Sequence, residues 1–240
     1  MTATPSKPAL YELERKIAGF DFFPWLVMQK AHGADSVVFD VSGRINMKWP
    51  TEIAMQRFES ILKPGVALAG MSWSMGRHGS QYGPYHQSDL IRLCASGMVL
   101  PRLRSVLPHG KERFTVTLRK TERAPGRNSN EAAWRTFAEE IGALVIPDYA
   151  DKPMHLHERM ALYAGAEMNF FVGNGPGVLC VLSEAPWMQF CVHKSSPEKM
   201  GIPFGGRYPF CLPQHHMVWE SDTLENIRKH FALWQSGGNK

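Results

Sequence analysis

Residues 160–190 read MALYAGAEMNFFVGNGPGVLCVLSEAPWMQF and carry the clearest alternation of helix and strand signals in the chain. They predict a helix, a buried strand, a tight turn over residues 173–177, a helix of small residues and a further strand. Upstream, RFTVTLRKTERAPGRNSNEAAW at 113–134 predicts a strand that ends in an arginine, a polar loop and a helix. Strands that alternate with helices are typical of a parallel sheet, whose strands end at a common edge where ligands bind.

The same pattern of apolar runs and helix signals extends over the whole chain. Strands are predicted at 36–41, 66–75, 98–100, 114–118, 143–147, 168–172 and 188–192, and helices at 22–31, 51–62, 88–96, 130–141, 155–165, 175–183 and 221–234. The fold class is therefore α/β, with two Rossmann-like lobes, parallel sheets and a cleft between the lobes. Residues 1–8 are expected to be a tail, and 193–212 a long loop.

Composition sets the outer limits. The chain has 240 residues, 44% hydrophobic and 20% charged, which predicts an ordered globular protein. A net charge of +5 and a pI near 9.1 are compatible with an anionic ligand or a nucleic acid, and equally with a basic surface that serves solubility. The sequence shows no signal-peptide core and no long apolar run, and none of its four cysteines falls in a CxxC pair. These features predict a reduced, cytoplasmic protein without a transmembrane segment.

A cationic loop follows the predicted strand at 114–118. Its polar members are Arg119, Lys120, Arg123, Arg127 and Asn128. A guanidinium binds two phosphate oxygens at once, and the amides at the start of the next helix add to an anion site. The loop is therefore a candidate phosphate-binding element. The alternative is a solvated basic loop with an ordinary helix cap.

A glycine-rich turn follows the predicted strand at 168–172. It consists of Gly173, Asn174, Gly175, Pro176 and Gly177. The turn matches neither a Walker P-loop nor GxGxxG, so it predicts a backbone that approaches a ligand closely without naming the ligand. The alternative is a turn that only packs a helix on the sheet. A later turn at Ser183 is predicted to line the same cleft.

Candidate acid–base groups lie in the first half. Asp40 ends a predicted strand, and His78, His86 and Asp89 surround a loop rich in glycine and tyrosine. A carboxylate or a histidine in such a place can take a proton from an acceptor hydroxyl. A surface role is the alternative for each. The histidine pairs at 155/157 and 215/216 do not share a face of a helix, so no metal site is predicted.

The second half, about residues 112–192, resembles the nucleotide-sugar-binding domain of GT-B glycosyltransferases, most nearly that of bacterial heptosyltransferases, with a looser similarity to fucosyltransferase-like members. The resemblance rests on TVTLR at 115–119, RNSNEAAW at 127–134, VIPD at 145–148 and the block at 160–186. In the heptosyltransferase pattern, the turn after the corresponding strand contacts the donor diphosphate. Asn174 stands here where that family has a hydroxyl residue, and Val178 stands where it has a histidine.

The resemblance implies a division into an acceptor-side lobe at 1–110, a nucleotide-sugar-binding lobe at 111–212 and a final segment at 213–240, whose helix packs back on the first lobe. The implied activity is metal-independent transfer of a sugar from a nucleotide-sugar donor to a saccharide or other hydroxyl acceptor, without a further cofactor. The implied donor-binding residues are Arg119, Arg127, Asn128, Asp148, Gly173, Asn174, Gly175, Pro176, Gly177 and Ser183. The implied base comes from the first lobe, among Asp40, His78, His86 and Asp89.

Two alternatives stay open at the level of the sequence. One is a non-catalytic nucleotide- or sugar-binding protein of the same fold. The other is a glycosyltransferase that modifies nucleic acid, in which the basic surface and the aromatic loop at 73–86 grip the polymer.

Overall fold

Two parallel sheets organise the chain, one in each of two compact units, Met1–Val106 and Leu107–Lys240. The structure is a computed structural model that describes residues 6–16, 18–42, 51–80, 87–122, 125–147, 154–191 and 202–237. The prediction of an α/β fold with two parallel sheets is confirmed. Within the described ranges, no helix is long and apolar enough to cross a membrane.

The first unit holds a three-stranded sheet in the order β1-β2-β3. Its elements are β1 (Pro8–Glu12), α1 (Phe22–Ala31), β2 (Ser36–Asp40), α2 (Thr51–Arg57), a π-helical turn (Phe58–Leu62), α3 (Lys63–Leu68), β3 (Ser72–Met75) and α4 (Gln87–Ala95). Helix α1 is buried over almost its whole length, because its sequence FFPWLVMQKA is apolar on every side. Tyr11 of β1, Phe39 of β2 and Trp25 of α1 meet in the aromatic core.

Three predictions for this unit differ from the structure. The run VALAG, predicted as the start of a strand, belongs to α3 and its C-terminal turn. Pro64 lies in the first turn of α3, where proline is tolerated, and Gly70 ends the helix with a φ of 63°. The strand predicted at 98–100 is irregular in the structure. The sequence predicts no strand before residue 36, whereas in the structure β1 starts at Pro8, the last residue of the expected tail, and pairs with β2 along its full length.

The second unit holds a five-stranded parallel sheet in the order β5-β4-β6-β7-β8. Its elements are β4 (Phe114–Leu118), α5 (Glu131–Ile141), β5 (Leu144–Pro147), α6 (Leu156–Gly165), β6 (Met168–Val172), α7 (Val178–Val181), β7 (Trp187–Phe190), β8 (His215–Val218) and α8 (Leu224–Gln235). The first strand of this unit, β4, lies between the second and the third. The chain therefore winds first to one side of β4 and then to the other.

The two faces of this sheet differ in chemistry. One face packs against α5 and α8 through an apolar core that includes Val116, Phe170 and Phe137. On the other face, Thr115 donates a hydrogen bond to Asn169 and Thr117 contacts the hydroxyl of Tyr163 on α6, at 2.6 and 2.7 Å. These buried polar groups satisfy one another, so they fix α6 against the sheet.

Helix α8 contributes to the core of the second unit. Ile227 is fully buried, and Phe231 makes edge contacts with Phe114, Phe137 and Phe170. The helix predicted at 221–234 begins at Leu224 in the structure, after Thr223, whose side chain caps it. The family resemblance placed this helix against the first lobe; its buried aromatic contacts in the structure are with the five-stranded sheet and α5.

Candidate functional site

The strand order places a topological switch point between β4 and β6. The two strands pair in parallel, with Thr117 opposite Phe171. Arg119 is the first residue after β4 and Gly173 the first after β6, so the two residues leave the sheet side by side. The chain after β4 leads to α5 on one face of the sheet, and the chain after β6 leads to α7 on the other. In open α/β sheets the crevice between two such loops is the usual ligand site.

The loop after β4 is closed by its own side chains. The backbone amide of Arg119 donates to the hydroxyl of Ser129, 2.9 Å away, and the amide of Ser129 donates to the carbonyl of Arg119. Asn128, predicted as a donor-binding residue, bonds through both ends of its side-chain amide to the backbone of Thr121, at 2.8 and 3.1 Å. Asn128 therefore shapes the loop. Arg127 lies exposed on a 3-10 turn in front of it.

The end of this loop, at Asn130, is held by a residue that lies far away in the sequence, Asp222. Asn130 caps α5 by accepting from the amide of Ala133. The buried carboxylate of Asp222, just before α8, accepts from the amide of Asn130 at 2.7 Å and from the indole N–H of Trp134 at 2.8 Å. A buried carboxylate with two such donors is well satisfied. It fixes the start of α5 and with it the position of the loop.

The turn after β6 combines a close backbone approach with an unsatisfied donor. Asn174 Oδ1 accepts from the amide of Gly177 at 2.6 Å. A Cβ at Gly177 would lie 2.8 Å from the ring of Phe171, so only glycine fits there. Asn174 Nδ2 is buried and has no hydrogen-bond partner among the described residues. A buried donor without an acceptor calls for a specific explanation, and a ligand oxygen is one.

A buried arginine that the sequence analysis did not select lies near the same edge. Arg159 on α6 is 3% exposed, and its guanidinium donates to the hydroxyl of Tyr163 at 3.1 Å and to the carbonyl of Pro147 at 3.5 Å. Burial raises the pKa of the Tyr163 hydroxyl, and the positive charge of Arg159 acts in the opposite direction. In the sequence, Arg159 is marked only by its position four residues before Tyr163 in a predicted helix, which places the two side chains on the same face.

The structure does not place the other predicted donor-binding residues beside Arg119 and Asn174. Ser183 is buried at the amino end of β7, where its hydroxyl donates to the carbonyl of Cys180 and accepts from the amide of Ala185. Helix α7 carries the chain back across the sheet, so this turn lies at the edge opposite to Gly173. Asp148 and Arg123 lie outside the described residues.

The carboxyl edge of the three-stranded sheet carries the predicted base Asp40. Its carboxylate accepts from the backbone amide of Ser42 at 2.9 Å and from the Ser42 hydroxyl, and Arg77 donates to that hydroxyl at 2.6 Å. The hydrogen bonds from Ser42 hold the pKa of Asp40 below its usual value, with a smaller contribution from Arg77. Asp40 is therefore ionised at neutral pH and is a weak base.

The remaining candidates of the first unit lie around this edge and in α4. His78 is exposed, shortly after β3. Asp89 is buried in the first turn of α4 and forms an ion pair with Arg92 one turn later. His86 lies outside the described residues. An ion-paired, buried carboxylate is a weaker candidate for proton transfer than the exposed histidine.

Lys16 follows β1 at the same edge and was not selected from the sequence. Its ammonium lies over the rings of Tyr11 and Trp25, 4.9 and 4.6 Å from their centroids. Burial lowers the pKa of Lys16 to about 7, and the nearby Glu12 opposes that shift. At neutral pH this lysine is only about half charged, so it is a poor phosphate ligand compared with an arginine.

Cys191, at the carboxyl end of β7, is buried, and burial raises the pKa of its thiol to about 11, so the nucleophilic thiolate is scarce at neutral pH. Among the described residues, no three side chains of histidine, cysteine, aspartate or glutamate come together to hold a metal ion.

Comparisons with models of protein families, with curated proteins and with solved structures find no match to this chain.

Proposed function

We propose that the second unit binds the diphosphate of a nucleotide sugar between the loops after β4 and β6, and that the protein is a glycosyltransferase of the GT-B type. The observation that carries this proposal is the switch point itself. It places the loop of Arg119 beside the turn of Asn174, whose buried Nδ2 is a donor without an acceptor among the described residues. Phosphate oxygens are acceptors that suit both an amide N–H and a guanidinium.

The proposed chemistry uses this edge as an electrostatic clamp. When the sugar leaves the donor, negative charge develops on the diphosphate, and fixed donors aimed at that charge lower the barrier. Arg119, Arg127 and Asn174 are the proposed clamp. The acceptor hydroxyl loses its proton to a base, for which Asp40 and His78 are the candidates that the structure describes at the edge of the first sheet.

A non-catalytic binding protein of the same fold is the second candidate. The observation that favours it is the lowered pKa of Asp40, because a carboxylate held ionised by two hydrogen bonds is a poor general base. Such a protein would bind the nucleotide sugar without turnover. Release of free nucleoside diphosphate from a bound donor in the presence of hydroxyl acceptors separates the two candidates.

The binding test is thermal stabilisation by a panel of nucleotide sugars and nucleoside diphosphates. A ligand at about 100 times its Kd stabilises the folded protein by roughly 2.7 kcal/mol, which a melting curve resolves. Asn174→Asp then tests the site itself. The variant keeps the oxygen that accepts from Gly177 and replaces the Nδ2 donor by a negative oxygen, so we expect at least a tenfold loss of diphosphate affinity.

Asn226→Asp is the matched control for this test, because it makes the same change of charge at the start of α8. The control should keep the affinity of the unaltered chain. The proposal would be refuted if the unaltered protein and Asn174→Asp had equal affinities for the diphosphate. It would also be refuted if no ligand of the panel stabilised the unaltered protein.

A further inference from the structure

The clearest unexplained charge in the second unit is the guanidinium of Arg159. It is almost fully buried between α6 and the sheet, and both of its described partners, the Tyr163 hydroxyl and the Pro147 carbonyl, are uncharged. No salt bridge joins Arg159 to a carboxylate within the described parts of the chain. A buried cation is expensive unless an anion compensates it.

The sheet register locates this charge. Arg159 bonds to the carbonyl of Pro147, the last residue of β5, and Pro147 lies opposite Leu118, the last residue of β4. Arg119 follows Leu118 directly. Two arginines from separate parts of the sequence therefore lie at the carboxyl ends of the neighbouring strands β4 and β5, one in the loop after β4 and one on α6.

The two arginines differ in depth. Arg159 is buried under α6, whereas Arg119 is half-buried and Arg127, further along the same loop, is exposed. An anion that contacts only the outer arginines leaves the inner charge uncompensated. A ligand with two linked anionic groups, one inner and one outer, compensates both.

We infer that Arg159 is a further ligand-binding residue, which takes the inner phosphate of a diphosphate and makes this edge selective for diphosphates over single phosphates. The inference rests on the proposed function, since it adds a residue and a selectivity to the same site. Tyr163 acts as a positioning residue, because its hydroxyl holds the guanidinium and is itself held by Thr117 on β4 at 2.7 Å. These hydrogen bonds hold the Arg159 guanidinium in place before the ligand binds. Less side-chain entropy is therefore lost when the complex forms.

The experiment measures the affinity of the full chain for inorganic pyrophosphate and for orthophosphate by calorimetry. The unaltered protein should bind pyrophosphate at least tenfold more tightly than orthophosphate. Arg159→Gln should lose at least tenfold in pyrophosphate affinity and with it the preference. Arg113→Gln is the matched control, since it removes the same charge from an exposed arginine at the opposite end of β4.

The outcomes separate this inference from the proposed function. If the unaltered chain and Arg159→Gln bind pyrophosphate equally, Arg159 does not contact the ligand, and the inference fails while the diphosphate site stands. If the unaltered chain binds neither pyrophosphate nor any nucleoside diphosphate, the proposed function fails as well. Arg159→Lys covers the case in which the glutamine variant does not fold: an ammonium lacks the guanidinium fork, so it should lose the preference for pyrophosphate, and unchanged selectivity would overturn the inference.

Discussion

The carboxyl edges of the two parallel sheets share a topology and differ in how their polar groups are satisfied. At the three-stranded sheet, Asp40, Ser42 and Arg77 bond to one another, and Asp40 and Ser42 are neighbours in sequence. At the five-stranded sheet, the edge is built from distant parts of the chain and keeps a buried donor at Asn174 without a partner among the described residues.

The charges at the two edges differ in kind as well. Burial lowers the pKa of Lys16 at the first edge to about 7, whereas the cations at the second edge are the guanidinium groups of arginines, whose planar fork binds two phosphate oxygens at once. A cationic edge with an open donor at Asn174 suits a diphosphate. The first edge instead carries the ionised carboxylate of Asp40, which is held by its own hydrogen bonds from Ser42.

The largest expected effect tests the long-range construction of the second edge. In Asp222→Ala, the amide of Asn130 and the indole of Trp134 lose a buried, charged acceptor, so we expect a loss of about 3 kcal/mol in the free energy of unfolding. Urea denaturation followed by tryptophan fluorescence measures this loss. Glu225→Ala, an exposed carboxylate three residues later, should cost less than about 0.5 kcal/mol. Similar losses in both variants would show that the edge does not depend on this contact.

Asp222 also illustrates what the sequence can and cannot predict. The strands Phe114–Leu118 and Met168–Val172 were predicted with their observed bounds, because each is a compact run of strand-forming residues between clear breaks. The turn at Asn174 and the loop at Arg119 were predicted at the same sheet edge, because parallel strands end on one side. The contact from Asp222 to Asn130 spans 92 residues and leaves no local pattern.

The errors have equally physical causes. The run at 66–70 is apolar enough for a buried strand or a buried helix, and periodicity alone does not separate these. Strand β8, HHMV, carries two histidines and was missed, yet His215 is fully buried, stacked on Trp187 and bonded to the amide of Leu212. Ser183 is predicted at the wrong edge, because it precedes β7, and the turn before a parallel strand lies at the opposite side of the sheet from the turn that follows the neighbouring strand β6.

A smaller expected effect concerns Lys16 and tests whether the first edge carries a suppressed charge. The folded pKa of about 7 lies below the unfolded value of 10.5, so the folded state is penalised below about pH 7 and the penalty disappears as the pH rises towards 10.5. Lys16→Met should therefore raise the Tm by a few degrees at pH 6 and by progressively less towards pH 10. Lys111→Met, at an exposed lysine, should show no such dependence. A gain that is independent of pH would mean that only apolar packing has improved.

The smallest expected effect on stability is that of Asp40→Asn, because its hydrogen bonds are local and partly exposed. The folded pKa lies below the usual 3.8, so the carboxylate contributes its stabilisation at neutral pH, and this contribution is lost as the pH falls through the folded pKa. The Tm difference between the unaltered protein and Asp40→Asn should accordingly be small at pH 7 and vanish in acid. Diphosphate affinity should not change, since the arginines lie in the other unit.

A comparison of Asp40→Asn with Ser42→Ala tests the function of Asp40. Ser42→Ala removes a hydrogen bond to the Asp40 carboxylate and leaves the carboxylate itself in place. If Asp40 is the base, Asp40→Asn abolishes sugar transfer, whereas Ser42→Ala retains it and shifts its acid limb to higher pH, since the pKa of Asp40 returns towards its usual value. Equal losses in both variants would mean that the pair only shapes the edge. Full activity in Asp40→Asn would leave His78 as the candidate base among the described residues of that edge, and His78→Gln would then be expected to abolish transfer.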